Sequence, residues 1–246
     1  MRALVISDLH ANADALRAVF SRVRRKRLDA VVCLGDFVGY NAEPNQVLDV
    51  MRAVKQRKLY IRGNHDRVVA GLEEGTAFNP AAHEVAHWTR EHLSAPNRRF
   101  LQSLPTGPLR HDGVLLCHGS PDDEDEYVFH DLQALRVFER TDAPIVLYGH
   151  THLPVIFSID ANGSVAGCAV RDDASFRLER GRRYLINPGS VGQPRDRNPH
   201  ASFAIVDSGR MTAQFFRVSY DVGKTQRAIV RAGLPVMLAN RLKFGT

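Results

Sequence analysis

The chain has 246 residues, 44% of them hydrophobic and 24% charged, enough for a real globular core, and no repeat, low-complexity tract or linker divides it, so one domain over 1–246 is expected. Its 33 Lys and Arg against 27 Asp and Glu give a formal charge of +6, which favours anionic partners over acidic-surface readings. A signal peptide and a membrane span are excluded by the short N-terminal apolar run and the lack of any later run of about 18 apolar residues, so a cytoplasmic protein with no membrane contact is expected.

The first predicted element is the strand "ALVIS", Ala3–Ser7. A helix follows behind an Asn12 cap, with Leu16, Val19, Phe20 and Val23 at helical spacing. The basic run Arg24–Arg27 falls where this helix should end, and cations there complement the helix dipole better than they argue for a nucleic-acid patch. "AVVCL" is the second strand, and Pro44 opens a second helix carrying Val47, Met51 and Val54. "KLYI" is the third strand, and Asn79 caps a helix from Pro80 to Leu93. "GVLLC" and "IVLY" read as two more buried strands. From there "VIFSID", "RYLIN", "SFAIVD" and "TAQFFRVSY" form a run of strands, closed by a helical tail from about Gly223. A βαβαβ start followed by strands predicts two stacked sheets with helices outside. Of the three cysteines, Cys33 and Cys117 sit in apolar runs and Cys168 does not, none has metal-type spacing, and reduced core thiols are expected.

What ends the apolar runs carries the function. Asp8-Leu9-His10 follows the first strand, Gly35-Asp36 the second and Gly63-Asn64-His65-Asp66 the third; His118-Gly119 and Gly149-His150-Thr151-His152 follow the next two. In open α/β sheets ligands bind beyond the carboxyl ends of strands, so these side chains should converge. Asp8, His10, Asp36, Asn64, His118, His150 and His152 make seven N/O donors without a thiolate, a set suited to Mn, Fe, Zn, Co or Ni. Seven donors exceed one tetrahedral ion but serve two if a carboxylate bridges them. Two aspartates leave part of the charge of two divalent cations uncancelled, which would attract a phosphate and acidify water.

This ordered series resembles the calcineurin-like metallophosphoesterase superfamily over roughly residues 4–152. "INPGSVGQPR", Ile186–Arg195, is further similar to its small bacterial stand-alone phosphodiesterase branch. The resemblance implies a four-layer αββα sandwich of two mixed sheets with a dinuclear site at the strand ends, manganese being the first expectation. It assigns Asp8, His10 and His152 to one metal, Asn64, His118 and His150 to the other, and Asp36 to both. It implies hydrolysis of phosphate esters by a metal-bridging hydroxide, with His65 beside the substrate aiding the leaving group and Asp66 orienting that imidazole. Arg195 either contacts phosphate or belongs to a surface cluster with Asp196 and Arg197. The protein phosphatase and symmetrical dinucleoside tetraphosphatase branches carry an Arg soon after Gly-Asp and a Glu after Gly-Asn-His. Phe37-Val38-Gly39-Tyr40 and Asp66 stand there instead, which disfavours both.

The expected substrate is a phosphate-ester small molecule or nucleotide; nucleic-acid ends present the same phosphate without being indicated, and no oligomeric state follows. The acidic run Asp122–Glu126 reads as a solvated loop ahead of a third metal site. Two rivals are a non-catalytic scaffold on the same fold, disfavoured because every site position is filled, and a zinc protease from "HEVAH", His83–His87, disfavoured because no third ligand follows.

Overall fold

The computed structural model describes residues 1–246. In chain order the elements are β1 (Arg2–Ile6), α1 (Ala13–Val23), β2 (Ala30–Cys33), α2 (Pro44–Ala53), β3 (Arg57–Tyr60), α3 (Asn64–Val69), α4 (Pro80–His92) and α5 (Ala95–Ser103). There follow β4 (Leu109–His111), β5 (Val114–Leu116), α6 (Asp131–Arg140), β6 (Ile145–Leu147), β7 (Pro154–Ile159), β8 (Val165–Ala169) and β9 (Ala174–Arg177). The last are β10 (Arg183–Pro188), β11 (Ala201–Asp207), β12 (Thr212–Val218), α7 (Val222–Arg231) and α8 (Val236–Phe244).

Two six-stranded mixed sheets form, ordered β3-β2-β1-β11-β12-β9 and β4-β5-β6-β10-β7-β8. The strand period of two makes the sandwich. In β1, Leu4 and Ile6 join the core under α1 and α2, while Ala3 and Val5 face the other sheet. In β6, Ile145 and Leu147 fill the intersheet core and Val146 points outward to Val137 and Phe138 of α6. Near-continuous apolar runs are the expected signature of strands covered on both faces. The layers are therefore helix, sheet, sheet, helix, as the αββα expectation required.

The expected caps form: the Asn12 side chain accepts from the Ala15 amide and Asn79 from the Ala82 amide. Other elements were not expected. The first is α6, whose buried stripe is only Ala134, Val137 and Phe138, and α5 has only Asn97 and Leu101 buried. The helical tail is two helices, broken at Gly233, which takes φ 72°, and Pro235 at the head of α8. Cys33 and Cys117 are buried as expected, whereas Cys168 lies exposed on β8. No helix is long and apolar enough to cross a membrane.

Within each sheet three parallel strands share a direction: β3, β2 and β1 in one, β5, β6 and β10 in the other. Their carboxyl ends are tied across the sandwich, Val191 N–H donating to the Ser7 carbonyl and Gly192 N–H to the Asp8 carbonyl. The two halves of the site are thus carried by different sheets and fixed by backbone hydrogen bonds.

Candidate metal centre

The loops beyond these strands turn so sharply that Asp8, His10, Asp36, His150 and His152 all take left-handed backbone, with φ of 53°, 42°, 55°, 64° and 61°. Such non-glycine conformations cost on the order of 1–3 kcal/mol each and persist only where the surroundings enforce them. Gly35, at φ 102°, shows why glycine stands beside them: a Cβ there would lie 2.5 Å from Gly63 N and 2.7 Å from its Cα. The β2 and β3 loops touch backbone to backbone, which brings Asp36 against the start of α3.

Two clusters result, Asp8–His10–Asp36–His152 and Asp36–His118–His150, and all of these side chains are buried. His10 Nε2 lies 3.6 Å and His118 Nε2 3.4 Å from the same atom, Asp36 Oδ2. The other oxygen, Oδ1, accepts the His65 amide at 3.0 Å. Asn64 Oδ1 stands 3.2 Å from His118 Nε2, joining the second cluster. Backbone carbonyls orient the rings. His10 Nδ1 meets Val38 O at 3.1 Å, His118 Nδ1 meets Leu34 O at 2.7 Å and His152 Nδ1 meets Gln193 O at 2.6 Å. Each contact is satisfied by a proton on Nδ1 and turns Nε2 inward.

These groups fit a divalent cation and fit poorly without one. His10 Nε2 and His152 Nε2 are 3.1 Å apart with both lone pairs directed at the same space, and Asp8 Oδ1 lies 3.4 Å from His152 Nε2. Neither oxygen of the buried Asp8 carboxylate has a hydrogen-bond partner, an expensive state that a cation relieves. Burial, helped by the Asp36 charge, pushes Asp8 up to about 7. Burial also holds His10 and His152 well below the ordinary imidazole value and His150 down to about 3. His118 goes the other way: burial opposes its charge, but the Asp36 carboxylate prevails and lifts it to about 10. The neutral imidazoles of His10, His150 and His152 are in the protonation state that ligands need, while His118 and Asp8 would give up their protons to a cation bound beside them.

The clusters floor a cavity of about 310 Å³ whose lining includes Tyr40, His65, Phe78, Tyr127 and Arg195. His65 is buried, its ring 4.5 Å from that of Tyr40 and 4.5 Å from that of Phe78, and its Nδ1 has no partner. Arg195 lies with its guanidinium 5.5 Å from the Tyr40 ring centre and donates to Gln193 Oε1 at 3.1 Å. The alternative Arg195–Asp196–Arg197 surface cluster does not form, because Asp196 pairs with Arg217. Asp66 corrects an expectation. Its oxygens accept the Gly63 amide at 3.0 Å and the Val38 amide at 3.2 Å, so it fastens two backbone turns and does not touch the His65 ring.

Comparison with known proteins agrees with this geometry. The model of the calcineurin-like phosphoesterase superfamily domain matches residues 1–211. The chain belongs to the calcineurin-like phosphoesterase superfamily. An uncharacterised protein of Methanocaldococcus jannaschii is 35% identical over 98% of this chain and 97% of its own. A metallophosphoesterase from Sphaerobacter thermophilus superposes with a TM-score of 0.87 at 37% identity, covering 100% of this chain and 99% of that one. The phosphodiesterase YfcE of Escherichia coli is 23% identical over 85% of this chain and 88% of its own length.

Members of this phosphoesterase family are metal-dependent, and the expected ligands come together here without exception. Several positioning groups were not expected. Asn41 donates to the His10 carbonyl at 2.6 Å, Asn187 donates to the Gly149 carbonyl at 2.7 Å, and Ser190 Oγ donates to the Asp8 carbonyl at 2.8 Å. Asn187, at the end of β10, and Ser190 lie inside the Ile186–Arg195 segment already singled out, whereas Asn41 is a lone Asn; no spacing pattern marks any of the three as a clamp on a ligand-bearing turn. Asp122–Glu126 is a largely solvated loop as expected, with Asp122, Asp123 and Asp125 exposed, but it is tied down at Glu124, which binds Arg62 at 2.9 Å and Arg67 at 2.7 Å, and the Asp125 carbonyl meets His150 Nε2 at 3.2 Å. That contact leaves His150 Nδ1 as its inward donor. On α4, His83 and His87 do share a face, their ring centres 4.5 Å apart, but neither belongs to a cluster of three metal-binding side chains.

Proposed function

We propose that this phosphoesterase-family protein hydrolyses phosphate esters, diesters foremost, at a centre of two divalent cations sharing Asp36. The observation that carries the reading is Asp36 Oδ2, which lies within 3.6 Å of a ligand nitrogen from each cluster at the floor of an open pocket. One cation would be held by Asp8, His10, His152 and Asp36, the other by Asn64, His118, His150 and Asp36. Manganese is the first candidate, with Fe, Zn, Co and Ni as alternatives, because the donors are nitrogen and oxygen without sulfur. Cations bound there supply Lewis-acid polarisation of phosphate oxygens and a lowered pKa for water.

The chain's own residues then bind and position the ester. Arg195 neutralises a phosphate oxygen from the rim, where its guanidinium has no carboxylate partner. The His65 ring, packed between Tyr40 and Phe78, hydrogen-bonds the leaving oxygen. Burial holds His65 down to about 4, so the ring meets substrate neutral, and an anionic phosphate against it favours the protonated form that can release a proton. The phosphodiesterase name of the Escherichia coli relative supports ranking diesters first.

The test is a manganese-supplemented panel of aryl monoesters, aryl diesters and nucleotides, run with wild-type protein and Asp36→Asn. Turnover of diesters, with metal content and activity falling together in the variant, is the expected result. A protein that binds two metals yet hydrolyses nothing on the panel would favour the non-catalytic scaffold.

A further inference from the structure

Arg195 has two sides. One faces the metal-centre cavity; the other lines a second groove of about 490 Å³ bounded by Phe129, Leu153, Val155, Arg171 and Arg197. That volume falls within the range of small-ligand sites, and the mixture of apolar walls with a few polar groups is their usual composition. The groove adjoins the cavity: Arg195 belongs to both linings, and Leu153 of the groove directly follows the candidate ligand His152 of the cavity.

Two features of the groove point to a ligand. The first is an aromatic stack. Tyr127 lies 4.1 Å from the His150 ring at 28°, and Phe129 lies 5.1 Å from Tyr127 at 9°. The stack thus climbs from a candidate metal ligand to Phe129, which is 49% exposed. A large apolar ring left half in water at the edge of a cleft offers an open π-face for another flat ring. The second feature is uncompensated charge. The groove's one acid, Asp196, is committed to Arg217, and Arg195 Nε is buried without a partner. Arg171, Arg195 and Arg197 therefore present guanidinium groups without a paired carboxylate, suited to oxygen-rich or anionic ligand atoms and to stacking.

We propose that this groove is a second subsite for the ester group that stays on phosphorus, and that its occupant is a nucleoside whose base extends the His150–Tyr127–Phe129 stack. The inference rests on the phosphoesterase reading above and narrows its substrate class to nucleoside phosphodiesters. In the hydrolysis a water oxygen forms a new bond to phosphorus and the bond to the leaving alcohol breaks on the His65 side. The water's two protons go to that alcohol and to solvent. The retained group ends as a nucleoside monophosphate lying between Arg195 and Phe129.

The experiment compares two diesters with one leaving group, thymidine 5′-(p-nitrophenyl phosphate) and methyl p-nitrophenyl phosphate, using manganese-loaded protein. Base–aromatic stacking is worth roughly ten-fold or more in affinity, so the thymidine ester should show a kcat/KM at least about ten-fold higher. Phe129→Ala, and independently Ala169→Trp, which fills the groove from β8, should collapse that ratio toward one, while Phe129→Trp should keep it; metal content is measured in each. A wild-type ratio near one, or a ratio unchanged in both collapsing variants, would overturn the proposal. If neither ester is cleaved, the phosphoesterase reading fails instead. Calorimetric binding of thymidine 5′-monophosphate to the wild type and Ala169→Trp then still decides the groove, and equal or absent binding in the two refutes it.

Discussion

His65 hydrogen-bonds nothing through its ring and its Nδ1 is buried, while the rings of His10, His118 and His152 are each pinned by a backbone carbonyl. A pinned ring offers one fixed lone pair, as a ligand must; a free ring in the pocket is available to move a proton. We expect His65→Ala to keep its metals and to lose on the order of 10²–10⁴-fold in kcat on alkyl or nucleoside leaving groups, the usual scale of general acid catalysis. The loss should be clearly smaller for a nitrophenyl ester, whose phenolate leaves without a proton; equal losses on the two would remove His65 from the acid role. Asp66 should behave differently. Removing its carboxylate in Asp66→Ala orphans two buried backbone N–H groups, each worth about 1–3 kcal/mol. Urea denaturation should therefore register a large drop in stability, and activity should fall alike for both kinds of ester. A leaving-group-dependent loss in this variant would reinstate the contact with His65 that the sequence led us to expect.

Among the elements, α4 separates a motif from a site. Its buried face is Ala82, Val85, Ala86 and Thr89, and it packs through Ala82 and Val85 on Ile229, Leu238 and Leu242 of the α7–α8 hairpin. That packing explains the helix fully without a metal. Replacing both His83 and His87 by alanine should leave the bound-metal stoichiometry unchanged by elemental analysis; loss of one equivalent would revive the protease motif. The helices that were hard to read share one property. The buried faces of α5 and α6 are only two and three residues, too few to establish a 3.6-residue period. The short continuous apolar runs of β1, β2 and β6 were legible because strands covered on both faces must be apolar throughout.

Across the whole molecule, the buried charges set how stability varies with pH. In the metal-free protein burial holds His65 down to about 4 and His150 to about 3, with His10 and His152 also well below the ordinary value. For these four the unfolded chain binds the extra protons, so stability falls as pH drops below about 6.5. Burial, reinforced by Asp36, raises Asp8 to about 7 and Asp66 to about 8, and Asp36 overcomes burial to raise His118 to about 10. For these three the folded chain binds the extra protons, and stability falls as pH rises through those values. Below about pH 6, four imidazoles outweigh two carboxyls; above about pH 7 only the second set acts, so the metal-free protein should be most stable near pH 6.5. Divalent cations replace the protons on the ligands among these groups, so loading metal should raise the alkaline limb most. Thermal denaturation from about pH 5 to 9, with and without chelator, measures both limbs; a steady rise with pH in the chelated protein would contradict the assignment.

The sequence by itself determined the sheet-forming runs, the order of the strand-end motifs and the chemical type of the donors, because each is written in adjacent residues or in a fixed period. That Asp8, His10, Asp36, Asn64, His118, His150 and His152 belong together is legible in the sequence, since five strand ends repeat one chemistry. Only the tertiary structure decided which oxygen of Asp36 lies between the clusters, that Asp66 serves the backbone, and that Glu124 ties the acidic loop to Arg62 and Arg67. It also decided that Arg195 stands between two cavities. These facts depend on loops from both sheets meeting across the sandwich, as Gly192 meets Asp8, and distances between residues far apart in the chain are set by packing, which no local pattern encodes.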